Sequence, residues 1–213
     1  MYETILFDFD GTVFDTVEGI TKSVRYAINK QGMDAELDEL RCFAGPPLVD
    51  MFMEHFGFSR EKAEQATRDF RERYNPIGLY ECRVFPGIRE LVETLLQAGK
   101  RVGIATSKPQ VLAEELLARE GMREMFSILV GSGSAGNNNA KWQVLDQAMK
   151  LLGSAPETTV LVGDTKYDVA GAHRCGVPCI GVAYGYAAPG ELEAAGVDAI
   201  AADMEELEML LLR

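Results

Sequence analysis

The chain has little cysteine for its length and no long uninterrupted hydrophobic run. Its 213 residues include 4 cysteines and no Cys-x-x-Cys pair. This number is too small for a disulfide framework in a chain of this size, so we interpret the cysteines as reduced thiols. No stretch approaches the roughly 18 apolar residues of a transmembrane helix, and the first residues lack the basic region of a signal peptide. The sequence therefore predicts a cytoplasmic protein without a membrane partner.

Positive charge is also scarce. The chain has 21 Lys and Arg residues against 33 Asp and Glu residues, and its net charge at pH 7 is −12. This charge opposes non-specific binding to nucleic-acid polymers and to anionic membranes, so we expect neither as a partner. The hydrophobic fraction of 47% and the charged fraction of 25% are those of an ordinary globular protein. Composition leaves the oligomeric state open.

The hydrophobic pattern changes twice along the chain. A β-type apolar run over residues 4–9 is followed, from residue 16 to 82, by helical patterns with no strand signal between them. From residue 83 onward, short apolar strands alternate with amphipathic helices, which is typical of a parallel sheet with helices on both faces. We predict an α/β fold with a doubly wound parallel sheet formed by residues 1–15 and 83–213. An α-helical domain, residues 16–82, is inserted after the first strand.

Carboxylates follow two of the predicted strands. The first strand ends in Asp8-Phe9-Asp10-Gly11-Thr12, and a later strand ends in Gly163-Asp164-Thr165-Lys166-Tyr167-Asp168. In a doubly wound sheet, ligands bind beyond the carboxyl ends of the strands, so we expect these carboxylates to converge at one edge. Converging carboxylates cannot all stay ionised without a cation, and an all-oxygen set favours Mg²⁺.

Groups that can hold a phosphoryl group lie near the same predicted edge. Thr106, Ser107 and Lys108 directly follow the predicted strand of residues 102–105. Hydroxyls, a lysine and exposed backbone N–H groups beside a magnesium site are the donors that phosphoryl transfer uses. A lone aspartate at a strand end is most often a turn former or an N-cap. The joint occurrence of Asp-x-Asp-Gly-Thr and Gly-Asp-x-x-x-Asp favours a functional site instead.

With these motifs, the sequence resembles the haloacid dehalogenase-type phosphohydrolases. It is similar to the branch that is related to phosphoglycolate phosphatase and to 5′-nucleotidase-like proteins, and the resemblance covers essentially the whole chain. It implies a Rossmann-like core with a helical cap. It also implies a Mg²⁺-dependent phosphatase that acts on a small phosphorylated metabolite through an aspartyl-phosphate intermediate.

The resemblance further implies a role for each motif residue. Asp8 would be the nucleophile, and Asp10 would act as general acid and then as general base, with its backbone carbonyl on the metal. Thr106 would donate its hydroxyl to the phosphoryl group. Lys141 would neutralise that group, with Lys108 as the alternative because Trp142 stands where related enzymes often have proline. The implied metal ligands are Asp8, Asp10, Asp164 and Asp168, and the candidate phosphate-binding or substrate-binding residues are Gly11, Thr12, Ser107 and Arg41.

Two other functions stay open. A phosphosugar mutase shares the same core and differs by protecting its aspartyl-phosphate from water, and nothing in the inserted helices decides between the two. Residues 131–136 read Gly-Ser-Gly-Ser-Ala-Gly, a G-x-G-x-x-G pattern that is typical of dinucleotide binding. The acidic residue expected about 20 residues later, Glu157, lies before its strand and not at the strand's end. We therefore interpret these glycines as a loop that presents Lys141.

Overall fold

The computed structural model describes residues 1–133 and 140–213. They group into two compact units, one formed by Met1–Phe14 with Val84–Arg213 and the other by Asp15–Arg83. The assignment of residues 1–15 and 83–213 to a catalytic core and of residues 16–82 to a helical cap stays a prediction. No helix within the described residues is long and apolar enough to cross a membrane. The four cysteines are free thiols, as predicted.

The described strands form one large sheet and one small one. In chain order they are β1 (Thr4–Phe7), β2 (Phe14–Asp15), β3 (Arg83–Val84), β4 (Arg101–Pro109), β5 (Ile128–Ser132), β6 (Thr159–Gly163), β7 (Cys179–Val182) and β8 (Ala199–Ala201). Six of them form a sheet in the order β5-β4-β1-β6-β7-β8, in which all neighbouring strands are parallel. The other two, β2 and β3, pair with each other.

Helices connect the strands of the large sheet, because parallel neighbours require crossover connections. The described α-helices are α1 (Val17–Asn29), α2 (Leu48–Phe56), α3 (Arg60–Tyr74), α4 (Ile88–Gln97), α5 (Gln110–Arg119), α6 (Lys141–Leu152), α7 (Lys166–Arg174), α8 (Glu191–Ala194) and α9 (Met204–Leu212). Short 3₁₀ helices span Leu37–Phe43, Gly78–Tyr80, Arg123–Met125 and Pro156–Thr158. This architecture confirms the doubly wound parallel α/β fold.

The strand β1 lies at the centre of the sheet, between β4 and β6. Its residues are buried on both faces, which explains their continuous apolar character. Phe7 is in register with Ile104 of β4 and Val162 of β6. The chain continues from β1 to one side of the sheet through β4 and β5, and to the other side through β6, β7 and β8. The residues that follow β1 therefore lie where the strand order reverses, which is where open α/β sheets bind ligands.

A buried apolar cluster holds α6 and α7 against the sheet. Leu6 and Leu161 from the central strands pack with Val144 and Leu145 of α6 and Val169 of α7. Because these side chains are almost completely removed from water, the hydrophobic effect fixes both helices on the sheet. The first turns of α6 and α7 carry two of the predicted site residues, so this core sets where those residues lie.

The structure differs from the sequence-based elements in several places, including the short strands β2 and β3, which the sequence does not predict. The sequence predicts a strand over residues 102–105 with Thr106 after it, whereas β4 continues to Pro109 with an irregular register between Ala105 and Pro109. Thr106 and Lys108 therefore lie within the strand. The edge strand β8 and the short helix α8 are absent from the sequence-based prediction. The Ala-Ile-Ala segment of β8 has only one β-branched residue, so its β signal is weak.

The second unit contains α1, α2 and α3, and no strand lies between residues 16 and 82, all of which are described. Phe52 and Phe56 of α2 form an aromatic cluster with Phe43, which precedes the helix, and Phe58, which follows it. Ser59 is the N-cap of α3, and its hydroxyl accepts a hydrogen bond from the Lys62 N–H at 3.3 Å.

Candidate active site

Asp8 directly follows β1 and is almost fully buried, with 6% of its surface exposed. Its backbone N–H donates to the Val162 carbonyl at 2.8 Å, which extends the pairing with β6 by one residue. The carboxylate oxygen Oδ1 lies 2.5 Å from the Nζ atom of Lys141. The sheet therefore holds the Asp8 carboxylate at the carboxyl edge of its strands, beside the Lys141 ammonium.

Lys141 is the first residue of α6, and its side chain is buried. Its ammonium lies 2.9 Å from Asp168 Oδ1 as well as beside Asp8, and it donates a hydrogen bond to the Ala105 carbonyl at 3.2 Å. Gly171 of α7 allows this approach, because a Cβ atom there would lie 2.5 Å from the Cγ atom of Lys141. The lysine thus joins the carboxylates that follow β1 and β6.

Asp164 and Asp168 are both completely buried, but different groups hold them. The Oδ1 atom of Asp164 accepts from the Thr12 hydroxyl at 3.2 Å, and its Oδ2 atom accepts from the Tyr186 N–H at 2.8 Å. The Oδ2 atom of Asp168 accepts from the Thr165 N–H at 3.0 Å and from the Thr165 hydroxyl at 2.7 Å. Asp168 therefore caps the start of α7 through one oxygen and faces Lys141 through the other.

Burial shifts the ionisation of these groups. Removal from water raises the pKa of Asp8 to about 6; Lys141 opposes this shift, and the nearby charge of Asp168 adds to it. Burial and the charges of Asp168 and Asp8 also raise the pKa of Asp164 well above its usual value. Burial alone would lower the pKa of Lys141, but the two carboxylates beside it raise that pKa above its usual value. One lysine therefore leaves negative charge uncompensated in the site.

The three buried carboxylates fit a divalent cation. One oxygen from each of Asp8, Asp164 and Asp168 lies within 4.8 Å of the others. Beyond their ion pairs with the Lys141 ammonium, the Oδ1 atoms of Asp8 and Asp168 accept no further hydrogen bond from the described residues. Buried carboxylate oxygens with spare acceptor capacity form the hard, all-oxygen donor set that Mg²⁺ prefers.

A second buried lysine contacts Asp10. The Nζ atom of Lys108 lies 3.0 Å from Oδ1 and 3.3 Å from Oδ2 of that carboxylate. The backbone N–H of Lys108 donates to the Thr106 hydroxyl oxygen at 3.1 Å, which leaves the hydroxyl's own proton able to point at an anion. From the sequence, Lys141 and Lys108 are alternative candidates for the lysine that neutralises the phosphoryl group. The structure places both lysines in the site, each beside a different carboxylate.

Comparison with known proteins agrees with this arrangement. The sequence model of the haloacid dehalogenase-like hydrolases matches residues 5–182. The chain belongs to this family. A 5′-nucleotidase of Pseudomonas aeruginosa is 40% identical over 211 residues, which cover 99% of this chain and 96% of that protein. A phosphoglycolate phosphatase of Cupriavidus necator is 32% identical over 212 residues, which cover 97% of this chain and 92% of that protein.

A solved structure extends the likeness to three dimensions. A predicted phosphatase from Clostridium acetobutylicum is similar with a TM-score of 0.95 and 37% sequence identity, covering 100% of this chain and 99% of that chain. The protein is therefore a phosphatase of the haloacid dehalogenase-like family, as the resemblance of its motifs implies.

The loop after β1 of this haloacid dehalogenase-like phosphatase packs against Asp164. Gly11 has a φ of +82°, and a Cβ atom there would overlap the Asp164 carboxylate. Its N–H donates to the Phe14 carbonyl, and the Thr12 hydroxyl donates to Asp164. These donors are engaged within the core of the site, and a contact of Gly11 or Thr12 with a phosphoryl group stays a prediction.

Three further sequence-based expectations stay predictions. Ser107 lies in β4 next to Thr106, but nothing in the structure assigns it a ligand. Arg41 is exposed on the 3₁₀ helix of the second unit. In the glycine-rich segment 131–136, only residues 131–133 are described, since residues 134–139 lie outside the described residues. A Cβ atom at Gly131 would come within 2.7 Å of the backbone of Gln110, which gives this glycine a packing role.

The motifs recognised in the sequence do not include the segment Tyr184-Gly185-Tyr186, which follows β7. The Tyr184 hydroxyl donates to the Thr12 carbonyl at 2.9 Å, and the Tyr186 N–H donates to Asp164. A Cβ atom at Gly185 would overlap the Asp164 side chain. A signal was present, because this segment follows a strand of the same sheet and therefore lies at the same edge. Tyrosine and glycine after a strand resemble an ordinary turn, so the residue types alone do not reveal it.

Proposed function

We propose that this phosphatase depends on Mg²⁺ and hydrolyses a small phosphomonoester through an aspartyl-phosphate on Asp8. The observation that carries the proposal is the Asp8 carboxylate, buried beside Lys141 in a cluster with Asp164 and Asp168. The relatives named 5′-nucleotidase and phosphoglycolate phosphatase support a nucleotide or phosphoglycolate as the substrate, and a sugar phosphate is the third candidate, which the resemblance of the motifs implies. We expect it to act in the cytoplasm.

In the first step, an oxygen of Asp8 bonds to the phosphorus atom while the ester P–O bond breaks. Asp10 gives its proton to the leaving oxygen as that bond breaks, since an unprotonated alkoxide is a poor leaving group. Lys141 and the Thr106 hydroxyl stabilise the negative charge of the phosphoryl oxygens. Asp8 is suited to this role because the pairing of its N–H with Val162 fixes its backbone.

In the second step, a water molecule attacks the phosphorus atom of the aspartyl-phosphate. Asp10, now a carboxylate, takes a proton from this water, and the bond between phosphorus and the Asp8 oxygen breaks. Inorganic phosphate leaves, and both aspartates return to their initial state. The metal would be held by Asp8, Asp164 and the Asp10 carbonyl, with Asp168 in support, and when bound it supplies positive charge to the phosphoryl oxygens.

The domain assignment completes the proposal. Residues 1–15 and 83–213 carry the chemistry, and residues 16–82 form a cap that excludes bulk water and selects the leaving group. Arg41 is the cap residue that we expect to contact the substrate. The helical character of the second unit supports this assignment.

A substrate panel with and without metal tests the proposal. We expect phosphate release from at least one of phosphoglycolate, sugar phosphates and nucleoside monophosphates. A chelator should lower the rate by about 100-fold or more, and added Mg²⁺ should restore it. Release that is indifferent to the chelator would contradict the role of the metal. Isomerisation of a hexose phosphate faster than phosphate release would identify a mutase instead.

Gly185→Ala should weaken the metal site without replacing any of the proposed ligands. The added methyl group would push the Asp164 carboxylate out of place, and such supporting contacts typically affect metal affinity by about 10- to 100-fold. We expect the Mg²⁺ concentration for half-maximal activity, and for thermal stabilisation of the protein, to rise by about 10-fold. Ala183→Ser, at the exposed position two residues before Gly185, is the control and should leave both values unchanged. Equal Mg²⁺ dependence of the two variants would argue against Asp164 as a ligand.

A further inference from the structure

Lys108 is a buried lysine that the proposed chemistry leaves without a role. Its side chain is only 3% exposed, and its ammonium contacts both carboxylate oxygens of Asp10, whose side chain is 13% exposed. The same ammonium lies 5.6 Å from the centroid of the Phe9 ring. Contacts to both oxygens restrict rotation of the carboxyl group in a way that a contact to one oxygen does not.

This ion pair is poorly explained by stability alone. Taking an ammonium and a carboxylate out of water carries a large desolvation penalty. A protein in which apolar residues of similar volume replace a buried ion pair is often at least as stable as the original. The pair also lies beside the reacting groups. Thr106 and Lys108 are two residues apart in β4, and the Lys108 N–H donates to the Thr106 hydroxyl. One short segment therefore carries both the candidate hydrogen-bond donor to the phosphoryl group and the lysine that contacts Asp10.

Lys141 is already committed to other groups. Its ammonium contacts Asp8, Asp168 and the Ala105 carbonyl, and these contacts suit a group that neutralises the nucleophile and the phosphoryl oxygens. The two lysines therefore divide the carboxylates of the first motif between them, with Lys141 on Asp8 and Lys108 on Asp10.

We propose that Lys108 is a positioning residue that holds the Asp10 carboxyl group in the orientation from which it exchanges protons with the substrate. The inference rests on the proposed function, in which Asp10 is the general acid and base. In the first step the proton passes from Asp10 to the leaving oxygen as the ester bond breaks, and in the second it passes from water to Asp10. Lys108 itself gains and loses no proton.

The leaving group distinguishes this role from a purely structural one. An alkyl phosphate needs a proton on its leaving oxygen, whereas p-nitrophenyl phosphate releases a stable anion and needs little help. The ratio kcat/KM reports the steps up to the first irreversible one, which here is departure of the leaving group. A positioning role therefore predicts a loss that depends on the substrate, while partial unfolding lowers kcat/KM for both substrates equally.

The experiment compares Lys108→Met with the unchanged protein, in the presence of Mg²⁺, on the best alkyl phosphate of the panel and on p-nitrophenyl phosphate. We expect kcat/KM to fall by about 10- to 100-fold for the alkyl ester and by less than about 5-fold for the aryl ester. Lys100→Met is the matched control, because Lys100 donates to the Tyr2 carbonyl away from the carboxylates, and both ratios should stay unchanged. If Lys108→Met does not fold, Lys108→Gln is measured in the same comparison.

A double-mutant cycle on phenyl phosphate, whose leaving group is intermediate, tests whether Lys108 acts through Asp10. In the Asp10→Asn background, Lys108→Met should change kcat/KM by less than about 2-fold, because the group that it positions is already disabled. A full additional loss in that background would show that Lys108 contacts the substrate directly and would overturn the proposal. Equal losses on the alkyl and aryl esters would also overturn it. Failure of the unchanged protein to hydrolyse any of these esters would instead contradict the proposed function.

Discussion

Asp8→Asn is expected to lower the rate of phosphate release by about 1000-fold or more, because an amide cannot form the aspartyl-phosphate. Asparagine has nearly the same shape as aspartate, and the hydrogen bond from the backbone N–H of residue 8 to Val162 does not depend on the side chain. Lys141 keeps its ion pair with Asp168. The variant should therefore fold normally, with a melting temperature close to that of the unchanged protein, and should fail only in chemistry.

Asp69→Asn is the matched control for this substitution. Asp69 is also a buried aspartate, but it lies in α3 of the second unit, where it accepts hydrogen bonds from Lys30, Gln31 and Gln65. We expect its loss to lower stability while the rate stays within about 2-fold. Substantial activity in Asp8→Asn would show that another group attacks the phosphorus atom.

Lys141→Met is expected to affect both activity and stability. Without the ammonium, the buried carboxylates of Asp8 and Asp168 lose the cation that both of them face. Removing one partner of a buried ion pair typically costs about 3–5 kcal/mol of unfolding free energy, so urea denaturation without metal should show a loss of that size. The rate with Mg²⁺ should fall by about 100-fold or more, since charge stabilisation at the phosphoryl group is lost. Added Mg²⁺ should restore part of the stability, because a ligand that binds the folded state stabilises it.

Lys150→Met provides the comparison within the same helix. Lys150 pairs with Asp146 at 2.6 Å, but its side chain is 74% exposed, and exposed pairs contribute little. We expect this variant to keep the full rate and nearly the full stability. A Lys141→Met protein as stable and as active as Lys150→Met would contradict the assignment of Lys141 to the site.

The convergence of the carboxylates follows from features that a sequence carries. The strand β1 is a short apolar run that ends directly before Asp8, and β6 is a similar run that ends directly before Asp164. Because parallel strands end at the same edge, the residues that follow β1 and β6 could be predicted to share that edge. Their close approach also depends on β1 and β6 being neighbours in the sheet, which the order of the strands along the chain does not give.

The pairing of side chains could not be predicted in the same way. The sequence places Lys108 near the site, but its contact with Asp10 depends on how far β4 continues and on the irregular register after Ala105. Asp168 presents one oxygen to the start of α7 and one to Lys141, and this division depends on the packing of α6 against α7. Gly185 leaves room for the Asp164 side chain because it has no side chain of its own. No sequence motif predicts such a contact.

Identifying the residue that carries the phosphoryl group during turnover is the most direct test of the central role of Asp8. The protein is mixed with Mg²⁺ and a substrate that carries a label in its phosphoryl group. The reaction is quenched in acid within the first turnover, and the protein is digested for mass spectrometry. We expect the label on the peptide that contains Asp8, sensitive to hydroxylamine, and we expect borohydride to convert residue 8 to homoserine. The Asp8→Asn protein should carry no label. Phosphate release at its normal rate with no label on the protein, or with the label on another residue, would contradict the account.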